Sequence, residues 1–165
     1  MWNDTDIALA YLITFRCYGT WLHGDERGSI DRVRNQYKTP YISPNEKWYQ
    51  YNAERLKHDP VGLDSRQRDC TEQAIKETCK FRDWFLRAIN VRTNHVHVVV
   101  TAPVKPEKVC EQLKAWASRR LSERLGLVGD GKDGKKKWWT EKGDIEFVWD
   151  DDGLARVVDY VVNRQ

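Results

Sequence analysis

The side chains in this sequence whose type and spacing could do chemistry are a histidine pair, His95 and His97, and a tyrosine, Tyr160. His95-Val96-His97 opens the run HVHVVVT, which has the composition of a strand. In a strand, residues two apart leave the same face about 7 Å apart along the chain, close enough to share one metal ion. Val96 then turns to the opposite face. Alone, His-x-His is a weak sign, since two histidines on a sheet surface give the same letters. Several chemistries built on it are missing their other parts. A histidine-triad nucleotide hydrolase needs a third histidine at position 99, where Val99 stands. Paired-histidine phosphoesterases need a second His-x-Thr or His-x-Ser, and neither His23-Gly24-Asp25 nor His58-Asp59-Pro60 supplies it. Structural zinc needs Cys or His ligands at close spacing, and none stands near enough. What survives is a two-imidazole site completed by oxygen from an amide, a carboxylate, water or a substrate phosphate, which suits Mg²⁺ or Mn²⁺.

Tyr160 lies in a segment where Leu154, Val157, Val158 and Val161 recur at i, i+3, i+4, i+7, the apolar stripe of a helix. The tyrosine falls roughly 100° from the centre of that stripe, on the polar side with Arg156, Asn163 and Arg164. There a phenol can reach a ligand, or it can simply sit at the core boundary with its hydroxyl in water. Arg164, one turn on, would favour the ionised phenol that a nucleophile requires.

The elements that must position these groups follow from periodicity. Ile7 to Cys17 is β-branched and aromatic without a helical stripe, and predicts a mostly buried strand. The long polar and aromatic stretch through Asp31, Tyr37, Pro40 and Pro44 predicts a loop. A short helix is expected from Pro44-Asn45-Glu46, ending before Pro60, and a second from Asp64-Ser65 to about Trp84, with Cys70, Ala74, Thr78, Phe81 and Phe85 at helical spacing. Phe85 to Val91, a turn at Arg92-Thr93-Asn94, and His95 to Thr101 make a hairpin. A third helix follows Pro106 with Val109, Leu113, Trp116, Leu121 and Leu125 inward. A brief strand is expected at Ile145 to Trp149, then a last helix from Leu154, with Asp150-Asp151-Asp152 as its acidic start. Strands separated by helices, with a hairpin among them, predict an α+β sandwich with helices packed on an antiparallel sheet.

The chain has 165 residues, the size of one domain, and a formal charge of +3 with a pI near 8.6, too mild to announce a nucleic-acid partner by itself. The stretch GDGKDGKKK concentrates Lys132, Lys135, Lys136 and Lys137 beside Trp138 and Trp139, a combination that offers phosphate neutralisation and stacking, or merely a solvated basic loop. Eight tryptophans suit either a Trp-rich core or platforms for bases. Cys17, Cys70, Cys79 and Cys110 show no CxxC pair and are expected as buried thiols in a reducing cytoplasm. No basic signal-peptide start and no run long enough to cross a bilayer are present, so the expectation is a cytoplasmic protein with no membrane partner.

Four segments in order, ITFRCYGTWLHGD (Ile13 to Asp25), TNHVHVVV (Thr93 to Val100), LKAWASRRL (Leu113 to Leu121) and VWDDDGLARVVDYVVNRQ (Val148 to Gln165), resemble the single-tyrosine HUH transposases, and among them the REP-associated tyrosine transposases. The resemblance implies a ferredoxin-like or RNA-recognition-like sandwich with the histidine pair on a central strand and the tyrosine on a nearby helix. It implies nicking and transfer of single-stranded DNA, with Tyr160 as nucleophile forming a 5′-phosphotyrosine and His95 and His97 as metal ligands. An amide after the tyrosine is the implied third ligand. Position 164 is arginine, so the role falls to Gln165, as in a subgroup reading tyrosine, four residues, glutamine, or to Asn163 at i+3. Lys114, Arg119 and Arg120 resemble a helix that contacts a DNA hairpin, alongside Lys135, Lys136 and Lys137, and a homodimer is possible in such a family. The segment around His23 could read DNA or be structural. Two other functions share this fold: a catalytically silent hairpin-binding protein and an RNA-binding module, though the aromatic glycine-rich strand signature of the latter is missing.

Overall fold

The computed structural model describes residues 8–19, 46–54, 61–125 and 137–164. In chain order these form β1 (Ala10–Cys17), α1 (Glu46–Glu54), α2 (Ser65–Arg82), β2 (Phe85–Val91), β3 (His95–Thr101), α3 (Pro106–Leu125), β4 (Trp139–Val148) and α4 (Asp151–Asn163). The strands make one sheet in the order β2-β3-β1-β4, every pairing antiparallel. That order, with α2 and α3 crossing the same face, is the ferredoxin-like α+β sandwich. The His23 segment, His58, Lys132, Lys135, Lys136 and Gln165 lie outside the described residues.

β1 and β3 occupy the middle of the sheet and are covered on both faces, which is why they are almost continuously apolar rather than alternating. On one face Tyr11, Ile13, Phe15, Val96, Val98 and Val100 pack with α2 and α3. On the other Ala10, Leu12, Ala88, Val99 and Val148 pack with Val157 and Val161 of α4.

Helix ends follow the sequence closely. Asp64 accepts from the Gln67 amide at 2.8 Å while Gln67 accepts from the Asp64 amide at 2.9 Å, a reciprocal capping box. Asp83, in the left-handed region at φ 59°, ends α2. Asp150 caps α4 through the Gly153 amide at 2.7 Å.

Three expectations are corrected. Phe81 is not part of the buried stripe of α2, being 75% exposed, and Phe85 begins β2 and is also exposed; Cys70, Thr71, Ala74, Ile75, Thr78 and Cys79 form the buried side instead. Trp138 and Trp139 are core residues, so they cannot stack on bases; Trp139 meets Phe15 edge-on at 5.0 Å and donates to the Ser118 hydroxyl at 3.0 Å. β4 begins at Trp139 rather than near Ile145. Its polar half is drawn into the edge where Gly143 and Asp144 pair with β1, across a bulge from the Trp139–Cys17 pair, and Gly143 is there because a Cβ would stand 2.7 Å from the Thr14 carbonyl oxygen. The four cysteines are buried and unbridged, as expected, and among the described residues no helix is long and apolar enough to cross a membrane.

Candidate active site

Where α4 ends, the second face of the sheet is no longer covered by aliphatic side chains, and a row of polar residues runs across it. Asn90 of β2 lies opposite His97 of β3, His97 opposite Thr14 of β1, and Thr14 opposite Asp144 of β4. One step along, Arg16 lies opposite His95. The strand alternation that buries Val96 and Val98 among α2 and α3 therefore turns both histidines to the α4 side. The imidazoles meet edge to face, 4.8 Å between centroids.

Each ring is held at Nδ1. His97 Nδ1 is 2.7 Å from the buried Thr14 hydroxyl, and His95 Nδ1 is 2.7 Å from Asn94 Oδ1. Because an amide oxygen only accepts, His95 donates from Nδ1, and any metal would be bound through Nε2. Asn94 is itself fixed by its carbonyl, which accepts from the Cys17 amide at 2.9 Å and ties the hairpin turn to the end of β1. Burial, reinforced by His95 and Arg16, pushes the His97 imidazole down to about 4. At neutral pH it is uncharged, the form that offers a lone pair to a cation.

Tyr160 reaches the same place from α4. It is 42% exposed and its ring meets that of His97 edge to face at 5.7 Å. The last turn of α4 is anchored by Asn90, which donates from Nδ2 to the Val161 carbonyl at 2.9 Å. Together with Leu12, Thr14, Arg16, Asp144, Glu146, Arg156, Val157 and Arg164, these residues line an open cleft of about 590 Å³. Its charges are arranged in pairs: Arg16 with Asp144 at 2.6 Å and Arg156 with Glu146 at 2.8 Å.

The expected sites are thus brought together in part. His95, His97 and Tyr160 share the cleft. Arg164 lines it, but its Nε donates to Asp159 at 2.7 Å, so its charge is shared with a carboxylate rather than devoted to the phenol. Asn163 donates from its amide to the other Asp159 oxygen at 3.0 Å. Lys114, Arg119 and Arg120 are on α3, across the sheet from the cleft. Lys114 is half-buried and donates to the Thr140 carbonyl at 2.8 Å, and Arg120 binds Glu77 and Glu123. Arg119 lies over the Trp116 ring at 4.8 Å, and Lys137 over Tyr18 at 5.0 Å.

Thr14, Asn90 and Asn94 were not singled out by sequence reasoning. The signal for Thr14 was present as a polar residue alternating with Leu12 and Arg16 in an otherwise apolar strand. Among the described residues no three His, Cys, Asp or Glu side chains cluster as a metal site. The donor set that fits a divalent ion is therefore the two supported imidazoles with oxygen ligands added.

Among curated proteins, none matches the chain. The structure of a REP-associated tyrosine transposase bound to a REP hairpin is similar with a TM-score of 0.52 at 14% identity, over 94% of this chain. The chain spans 65% of the length of that protein. A Deinococcus radiodurans crystal structure, described as a candidate transposase, matches over 100% of this chain and 97% of its own at 13% identity with a TM-score of 0.49. Residues 58–164, well over half of the chain, match the model of a family described as IS200-like transposase. The chain belongs to that family of IS200-like transposases.

Proposed function

We propose that this protein nicks and transfers single-stranded DNA with Tyr160 as the nucleophile and with His95 and His97 holding Mg²⁺ or Mn²⁺. The observation that carries the reading is the meeting of the Tyr160 and His97 rings at 5.7 Å in one open cleft. Two imidazoles beside an exposed phenol suit phosphoryl chemistry in which the protein itself supplies the attacking oxygen. A bound cation would neutralise and orient the scissile phosphate. We assign the third protein ligand to Gln165.

In the reaction Tyr160 gives its phenolic proton to water and Oη attacks the phosphorus. The Oη–P bond forms as the P–O3′ bond breaks, and the 3′ oxygen takes up a proton. The 5′-phosphotyrosine ester keeps the energy of the cut bond, so a 3′-hydroxyl can later displace Tyr160 without a nucleotide cofactor. Asn90 and Thr14 position the phenol and the His97 imidazole for this attack.

The hairpin in the structurally similar transposase supports a hairpin-bearing strand as the substrate. Lys114 and Arg120 would have to leave their present partners to reach a phosphate. Arg119, Lys135, Lys136 and Lys137 are then the cations assigned to the flanking DNA.

The test is incubation with labelled hairpin-bearing single-stranded DNA and Mn²⁺, followed by a denaturing gel. A nicked product and a protein-linked band are expected from the wild type, and neither from Tyr160→Phe, which should still bind. A covalent adduct in the Phe variant, or mass spectrometry placing the nucleotide on another tyrosine, would overturn the assignment.

A further inference from the structure

At the outer edge of β4, on the face of the sheet that carries Tyr11 rather than the histidines, the chain leaves two aromatic rings in water. Phe147, near the end of β4, and Trp149, just beyond it, are 41% and 61% exposed. Their rings are stacked, with centroids 5.7 Å apart and planes within 10° of each other. The stack is fixed from behind. Phe147 and Tyr11 meet edge to face at 5.5 Å, and the buried Tyr11 donates its hydroxyl to the Val104 carbonyl at 3.0 Å. Val148, between the two aromatic residues, is buried against α4. A flat apolar surface is therefore turned outward, with Phe147 held from behind and Trp149 stacked on it, an arrangement that can take a planar ring.

A second, shallower cleft of about 400 Å³ lies at this pair, lined also by Asp150, Asp152 and Arg156. Arg156 lines the histidine and tyrosine cleft as well, so the two are neighbours across one side chain. The carboxylates beside Trp149 repel a phosphate but accept N–H groups from the edge of a base. The site thus favours the base of a nucleotide over its backbone. Tyr160 stands ten residues beyond the cap of α4, about 15 Å along the helix axis, and on the opposite face of the sheet from Phe147, so a strand that joins the two passes round the β4 edge. Such a path takes roughly three or more nucleotides, since stacked bases rise about 3.4 Å each and an extended strand rises more.

We propose that Phe147 and Trp149 form a stacking platform for one unpaired nucleobase of the substrate strand, roughly three or more nucleotides from the phosphate presented to Tyr160. The proposal rests on the reading of the Tyr160 cleft as the place where the strand is cut. The platform grips the strand through a ring rather than through charge, and so fixes its register at the nucleophile.

The experiment places 2-aminopurine, whose emission falls on stacking, at successive positions of a hairpin-tailed single strand and measures quenching and affinity in a Tyr160→Phe background. Quenching at one position is expected, lost on adding Trp149→Ala and largely kept with Trp149→Phe. Affinity should fall roughly five- to a hundred-fold with Trp149→Ala. An abasic site at the same position should weaken binding by a similar factor when Trp149 is present and no further once it is Ala. Equal affinities with and without the indole, or an abasic scan without a sensitive position, would overturn the proposal; the scan needs no variant at Trp149. A changed oligomeric state of Trp149→Ala with unchanged strand affinity would make the pair a protein contact and also overturn it. Failure of the wild type to form an adduct, with the quenching pattern intact, counts against the nuclease reading alone. Absence of strand binding altogether overturns both.

Discussion

Asn90 lies opposite His97 across the β2–β3 ladder and also donates to the carbonyl of Val161, the residue after Tyr160. One amide thus ties the strand that carries the histidines to the last turn of the helix that carries the phenol. That carbonyl is among those a helix end leaves without an intrahelical donor. Asn90→Ala should cost about 1–2 kcal/mol in chemical denaturation. It should lower the nicking rate more than Mn²⁺ affinity, because the imidazoles keep their own supports. Equal loss of metal affinity and rate would show that Asn90 acts on the histidines instead.

Thr14 supports His97 at 2.7 Å from within the sheet. Removal of an outer hydrogen bond to a metal-binding histidine lowers metal affinity about 10- to 100-fold. Thr14→Val, nearly the same shape, should show that fall in Mn²⁺ titration calorimetry, and Thr14→Ser should restore most of it. Unchanged affinity in the Val variant would remove Thr14 from the site.

Gly143 marks the tightest approach in the sheet, where an added Cβ would meet the Thr14 carbonyl at 2.7 Å and Cys110 Sγ at 3.0 Å. A backbone oxygen in a central strand has little freedom to give way. Gly143→Ala should destabilise the protein by about 1–3 kcal/mol, seen as a lower denaturation midpoint with unchanged slope.

Between α2 and α3, Arg124 hydrogen-bonds Glu77 at 2.5 Å and Arg120 binds it at 3.1 Å. The Arg124 hydrogen bond, with both positive charges, holds the Glu77 carboxyl below its ordinary value of 4.5. A carboxyl depressed in the folded state binds fewer protons there than in the unfolded chain. Its contribution is therefore full above the unfolded value and is lost as pH falls through the folded one. Glu77→Gln should flatten the acid limb of a stability–pH curve below about pH 4.5 and leave its shape near neutrality unaltered.

Much of this arrangement was legible in the letters because it is local. The hairpin from Phe85 to Thr101, the cap at Asp64 and the stripe of α4 each follow from spacing within a few residues. The supports of the site are not local. Thr14 and Asn90 become neighbours of His97 only through the register of three strands, which no periodicity announces. For the same reason Gly143 and Asp144, in a stretch with the composition of a turn, pair with β1 as a strand, and Trp138 and Trp139, beside a lysine run, are core. Tyr160 and the histidine pair could be joined beforehand only through resemblance, since nothing in spacing alone sets α4 over β3.

The double covering of β1 and β3 gives the protein a gauge of its own stability. Ile13 and Val98 face each other across the central seam with no exposed surface. Their amide protons have no route to solvent short of opening the sheet and both helical layers together. Hydrogen exchange there should report the free energy of the whole domain, whereas amides at the end of α4 should exchange through fraying. A ligand that binds only the folded protein would slow the Ile13 and Val98 amides by the factor with which it favours folding. Occupation of the cleft could thus be read at backbone positions that never touch it.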